Sequence, residues 1–174
     1  MFDLAVLILR IAVGGMLAAH GAQKLFGAFG GPGLGGTQKI IESLGMRPAW
    51  FWAALAGLSE LGGGILTALG FLSPLGPLGI LAAMAIAVFR AHWGKPIWAT
   101  QGGSELALMN AAIVIAIALA GPGRYSLDAA LGVVLPAWIV GSAVALVVLG
   151  VASALASGAT TERADRAERD RKAA

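Results

Sequence analysis

Long apolar runs, each broken by only a few polar residues, make up most of the chain. A helix that crosses hydrocarbon needs about twenty mostly apolar residues. Five stretches approach or meet that length: residues 4–26, 50–72, 74–89, 105–120 and 133–155. The pattern predicts an all-α, polytopic transmembrane helix bundle. Residues 1–130 are expected to form a four-helix membrane core, residues 131–157 an additional fifth transmembrane helix, and residues 158–174 a charged, solvent-exposed tail.

The connections differ in character. Residues 71–74 read as a tight turn, so helices two and three should form a hairpin. The first connection, residues 27–36, is rich in glycine. It leads to a short helical segment at 37–44 with Ile40, Ile41 and Leu44 on one side, ended by Gly45 and Pro48. That piece is expected to lie along the membrane surface. The third connection carries Arg90, His92 and Lys95 with Trp93 and Trp98, which suit an interfacial belt. In the fourth, residues 121–128, Ser126 is placed to cap a helix start. Pro136 should sit in the first turn of the last helix or kink it. In the tail, Glu162–Arg166, Asp165–Arg169 and Glu168–Lys172 are acid-before-base pairs four apart, which support a solvated helix.

Composition narrows the class. Hydrophobic residues are 58% of the chain and charged residues 12%, with a mean hydropathy of +0.84. A soluble domain of this length has too much surface to cover with so few charges. The net charge of +3 does not point to nucleic acid, because a polyanion-binding face needs clustered bases. Here the dense charge run is the tail, where the signs alternate. With no cysteine, disulfides, thiolate catalysis, iron–sulfur clusters and zinc–thiolate sites are excluded from the chain itself. Asp3 before the first apolar run and Arg10 within it argue for a retained helix rather than a secretory signal.

The basic residues set an expected orientation. With five spans, the first loop, third loop and tail share one side, with Lys39, Arg47, Arg90, Lys95 and the tail bases. The other side holds Arg124. The positive-inside rule then puts the N-terminus outside and the tail in the cytoplasm.

Ionisable groups inside a bilayer need partners or water. On the first helix Arg10, His20 and Lys24 fall within an arc of about 80°. On the second, Ala53, Gly57, Glu60, Gly64 and Ala68 form a stripe of small residues with the carboxylate in its middle, so Glu60 should face other helices. Measured from the first-loop side, His20 lies roughly 9 Å deep and Glu60 roughly 15 Å, with Arg10 nearer the far surface. His92, Gln101 and Glu105 are brought to the first-loop side as well. The expected site is therefore a polar pocket with Glu60 and His20 as its proton-handling or hydrogen-bonding residues. Arg10, Lys24, His92, Gln101 and Glu105 are expected to line it. Each has a plainer reading. Lys24, Arg90, His92 and Lys95 can snorkel at an interface. Arg10 can do the same or pair with Glu60, and Glu105 suits the first turn of a helix dipole. His20 is either a packed polar residue or a ligand or proton carrier.

No metal is expected, since two histidines and two acids lack diagnostic spacing, and His20 with His92 lacks it for haem. Gly31-x-Gly33-x-x-Gly36 matches a dinucleotide fingerprint but follows a membrane helix, not a strand, and is set aside. No Ser-His-Asp arrangement is present.

The motifs carry a resemblance. Leu9-Arg10 followed by His20-Gly21-Ala22-Gln23-Lys24-Leu25-Phe26-Gly27 resembles the first-helix signature of the DoxX family. Gly57-Leu58-Ser59-Glu60-Leu61-Gly62-Gly63-Gly64 resembles its second. Gly102-Gly103-Ser104-Glu105-Leu106 and Gly121-Pro122-Gly123-Arg124-Tyr125-Ser126-Leu127-Asp128 follow in order. The resemblance implies a four-helix core in the bacterial inner (cytoplasmic) membrane and points to Arg10, His20, Lys24, Glu60 and Glu105. The family name comes from relatives associated with a terminal quinol oxidase and with thiosulfate:quinone oxidoreduction, and oxidoreductase assignments rest on that association. This chain departs from the compact form by its fifth apolar segment and charged tail.

The leading expectation is an accessory or quinone-site partner of a membrane redox pathway, with quinone as the ligand and a soluble or membrane redox enzyme as partner beside the lipid bilayer. The alternatives are a non-enzymatic membrane scaffold or assembly factor, and a small-solute or proton pathway.

Overall fold

The structure is a computed structural model. It describes the backbone of residues 1–173 and the side chains of residues 1–157. The three acid–base pairs anticipated in the tail lie outside those described side chains. No strand occurs among the described residues.

The elements are α1 (Phe2–Phe26), α2 (Gly33–Ser43), α3 (Ala49–Leu69), α4 (Leu75–Ala91), α5 (Glu105–Ala120), the short α6 (Leu127–Leu131) and α7 (Ala137–Ala173). α1, α3 and the Ala137–Ser157 part of α7 are long and apolar enough to cross a membrane, while α4 and α5 are shorter apolar helices. α3 sits at the centre, packed on α1, α2 and α4, and α4 in turn packs on α5 and α7.

Glycine makes the central crossing close. α1 and α3 run antiparallel. A Cβ on Gly14 would stand 2.6 Å from the Ala68 nitrogen, one on Gly64 would stand 2.6 Å from the Gly14 oxygen, and one on Gly21 would overlap the Leu61 backbone. Larger residues at these points would force the backbones apart. Ala53, Gly57, Glu60 and Gly64 are all buried, so the small-residue stripe of α3 is an interior face.

α1 ends at Gly27, whose positive φ the left-handed cap requires. α2 begins four residues earlier than the periodicity suggests, despite its glycines. Thr37 Oγ1 donates to the Lys24 carbonyl at 3.0 Å, and Ile41 is buried with Met46 and Trp52. Tertiary contact thus overrides the weak helix propensity of glycine. α2 packs on α1 and α3 and covers one end of the bundle. Pro136 immediately precedes α7 and accepts from Ile139 at 3.0 Å, so it neither kinks nor interrupts the helix.

Candidate functional site

Between α1, α2, α3, α4 and α7 lies a cavity of about 410 Å³, within the range of small-molecule sites. Its lining is predominantly apolar, with Trp52, Leu55 and Ile86 among the walls. The polar side chains on it are His20, Gln23, Lys24, Thr37 and Ser59. His20 is exposed, which puts it at the rim.

Behind Lys24 stands Glu60. Lys24 Nζ lies 2.5 Å from Glu60 Oε1, and the glutamate side chain is 4% exposed against 33% for the lysine. Helix geometry explains the pairing. Each Cα–Cβ bond tilts toward its own helix N-terminus. In an antiparallel pair, Lys24 near the end of α1 therefore leans toward the membrane interior, and Glu60 in the middle of α3 leans back to meet it. Glu60 Oε2 is buried with no hydrogen-bond partner, so Lys24 is the cation on which this carboxylate depends. The lysine ammonium has three donors. Among the described residues its side chain bonds only Glu60, leaving donors to face the cavity.

Arg10 is not part of this site. The same tilt that carries Lys24 inward carries Arg10 toward the N-terminal end of α1, away from Glu60. Arg10 is 1% exposed and donates to the carbonyls of Pro122 and Tyr125, the latter at 2.8 Å. It belongs to a clasp that the sequence reading missed. Asp128 accepts from the backbone nitrogens of Leu72 and Ser73, both at 2.8 Å. Its own nitrogen donates to the Gly70 carbonyl at 3.1 Å. Leu72 has a φ of 52°, a left-handed conformation costly for leucine, and the Asp128 bonds hold it there. Gly70 has a φ of 62°, and a Cβ on it would run into the Arg10 guanidinium. Asp3 accepts from the Arg124 nitrogen at 3.0 Å, and Ser126 caps α6 through Ala129. The sequence carries no residue-specific signal for this clasp, because Asp128 meets backbone amides of the 71–74 turn.

His92, Gln101 and Glu105 do not join the cavity either. Glu105 Oε2 accepts from the Ala99 nitrogen at 2.8 Å, and His92 Nδ1 is 2.8 Å from the Gly102 carbonyl. Both side chains brace the loop between α4 and α5, and Gln101 is exposed on it. The Glu105 carboxylate is satisfied within the loop by the Ala99 amide rather than in the bundle. The pocket thus gathers His20 and Lys24, backed by Glu60, and adds Gln23, Thr37 and Ser59. Gln23 is held at the α1 end, where Gly31 packs so closely on it that any Cβ would overlap.

Among the described residues there is no group of three or more His, Asp or Glu side chains that could hold a metal ion.

Residues 5–93, just over half of the chain, match the family model DoxX. The chain belongs to the DoxX family. That match covers α1 through α4, hence the Lys24–Glu60 pair and the first four walls of the cavity. No curated protein and no solved structure matches the chain. With its apolar helices, this DoxX-family chain is a multi-pass membrane protein in contact with the lipid bilayer.

Proposed function

We propose that this DoxX-family protein binds a quinone in the cavity beside Lys24 and serves as the quinone-site partner of a membrane redox pathway. The observation that carries this reading is an apolar cavity with one donor-bearing end. A quinone is an apolar ring that offers only hydrogen-bond acceptors, so its carbonyl suits an ammonium with donors to spare. Charge favours the same class. Lys24 and Glu60 form an ion pair with no net charge, so the site does not call for an anionic head, and an anionic lipid headgroup would compete with Glu60. His20 at the rim is the group suited to pass a proton to the ring when the redox-enzyme partner supplies the electrons that reduce it. Glu60 acts through Lys24 as a positioning residue. The inner-membrane location, which the family resemblance implies, is part of this proposal, as is the orientation with the N-terminus outside and the tail cytoplasmic, which rests on the distribution of basic residues. Full crossing by α4 and α5 belongs to it too.

The test is gentle purification from the native membrane, followed by solvent extraction and mass spectrometry of bound molecules. The proposal expects a quinone in near-stoichiometric amount and its loss from the Lys24→Met protein. Phospholipid alone in both preparations would contradict it and favour a scaffold with a lipid-filled cavity.

A further inference from the structure

α7 lies outside residues 5–93, yet it supplies Leu146, Val147, Gly150 and Val151 to the cavity lining. These residues recur at helical spacing on one face. One turn further along that face, Ala154 is fully buried in a cluster with Ile41, Met46 and Trp52. Val147, Gly150 and Val151 are half-buried, whereas Val148 and Leu149 on the other side of the helix are exposed, as is Leu146 at the edge of the cavity face. α7 is thus docked on α4 at one edge and on the end of the α2–α3 layer at the other, and it stands between the cavity and the outside of the bundle.

Gly150 differs from the glycines of the central crossing. Gly14, Gly21 and Gly64 each leave no room for a methyl group, because another helix backbone fills the space. At Gly150 a Cβ would meet nothing within 4 Å. Close helix approach therefore does not require glycine there. What its missing side chain leaves is room on the cavity side of α7.

Resting on the quinone reading above, we infer that α7 is the wall that houses the ligand's apolar tail and that Gly150 sets the room for it. A head held at Lys24 directs a tail along the apolar lining, past Ala82 and Ile86 of α4, to the α7 face. Gly150 is then a specificity-determining residue: it governs affinity for tailed ligands and leaves the head alone.

The test uses the full-length protein in nanodiscs and measures equilibrium binding of two probes, decylbenzoquinone and tail-free methylbenzoquinone. Gly150→Leu fills the open space, and Gly141→Leu is its control on the same helix, where a Cβ also meets nothing within 4 Å. Gly150→Leu is expected to weaken decylbenzoquinone by about tenfold or more and methylbenzoquinone by less than about twofold. Gly141→Leu should change neither. Equal weakening of both probes by Gly150→Leu, or no weakening of either, overturns the inference while leaving the quinone reading standing. A wild-type protein that binds neither probe overturns both.

Discussion

Lys24 Nζ and Glu60 Oε1 are held 2.5 Å apart across an antiparallel helix crossing, with the lysine one-third exposed and the carboxylate enclosed. The pair is therefore asymmetric. The lysine has an escape route to water along its flexible stem. The glutamate has none, and its second oxygen already lacks a partner.

That asymmetry orders the cost of breaking the pair. Lys24→Met leaves a buried carboxylate without its cation and should destabilise by on the order of 3 kcal/mol. Glu60→Gln leaves a lysine that can turn outward and should cost about 1 kcal/mol. Denaturant titration of the detergent-solubilised proteins compares them. Equal costs would contradict the asymmetry, and a larger one for Glu60→Gln would make the lysine the dependent partner.

Glycine-to-alanine exchanges on α1 should differ in sign with position. Alanine is the better helix former by about 1 kcal/mol. At Gly15, where a Cβ would meet nothing within 4 Å, the exchange should raise the melting temperature slightly. At Gly21 the methyl group would overlap the Leu61 backbone, and the melting temperature should fall. Paired melting curves decide the matter, and stabilisation by Gly21→Ala would rule out the close crossing.

Much of this architecture is legible in the sequence, because bilayer thickness and helical periodicity constrain it. The small-residue stripe around Glu60 announces an interior face, and the apolar stretches locate α1, α3, α4 and α5 to within a few residues. Which base meets Glu60 is not legible from depth. Arg10, His20 and Lys24 share one side of α1, and placing them by Cα height alone hides the opposed tilts of side chains on antiparallel helices. The Asp128 clasp and the self-contained Glu105 loop escape for another reason. Both depend on side-chain bonds to backbone amides distant in the fold or in a loop, and such amides carry no residue-specific signal.

Removing the Asp128 carboxylate should unfasten the α3–α4 turn. Asp128→Ala strands the Leu72 and Ser73 nitrogens and leaves Leu72 in its left-handed conformation without support. A loss of about 3 kcal/mol is expected, combining two unmet hydrogen bonds to a charged acceptor. Hydrogen exchange should show residues 70–73 opening first. Protection there equal to wild type would mean the turn stands without Asp128.

Glu105 offers the complementary case. Glu105→Ala should free the Ala99 amide and loosen the α4–α5 loop, at a cost of about 1 kcal/mol. Quinone binding should stay within about twofold of wild type, since Glu105 lines no part of the cavity. A tenfold loss of binding would return this carboxylate to the site.

The direct test of the donor role of Lys24 uses a variant that removes the pair without stranding either charge. Lys24→Met with Glu60→Met replaces the pair by apolar side chains of similar length, a change that buried ion pairs commonly tolerate. Equilibrium binding of decylbenzoquinone to this double variant in nanodiscs should be weaker than to wild type by about tenfold, the loss of one charge-assisted hydrogen bond. Undiminished binding by a folded double variant would contradict the assignment of Lys24 as the group that holds the ring.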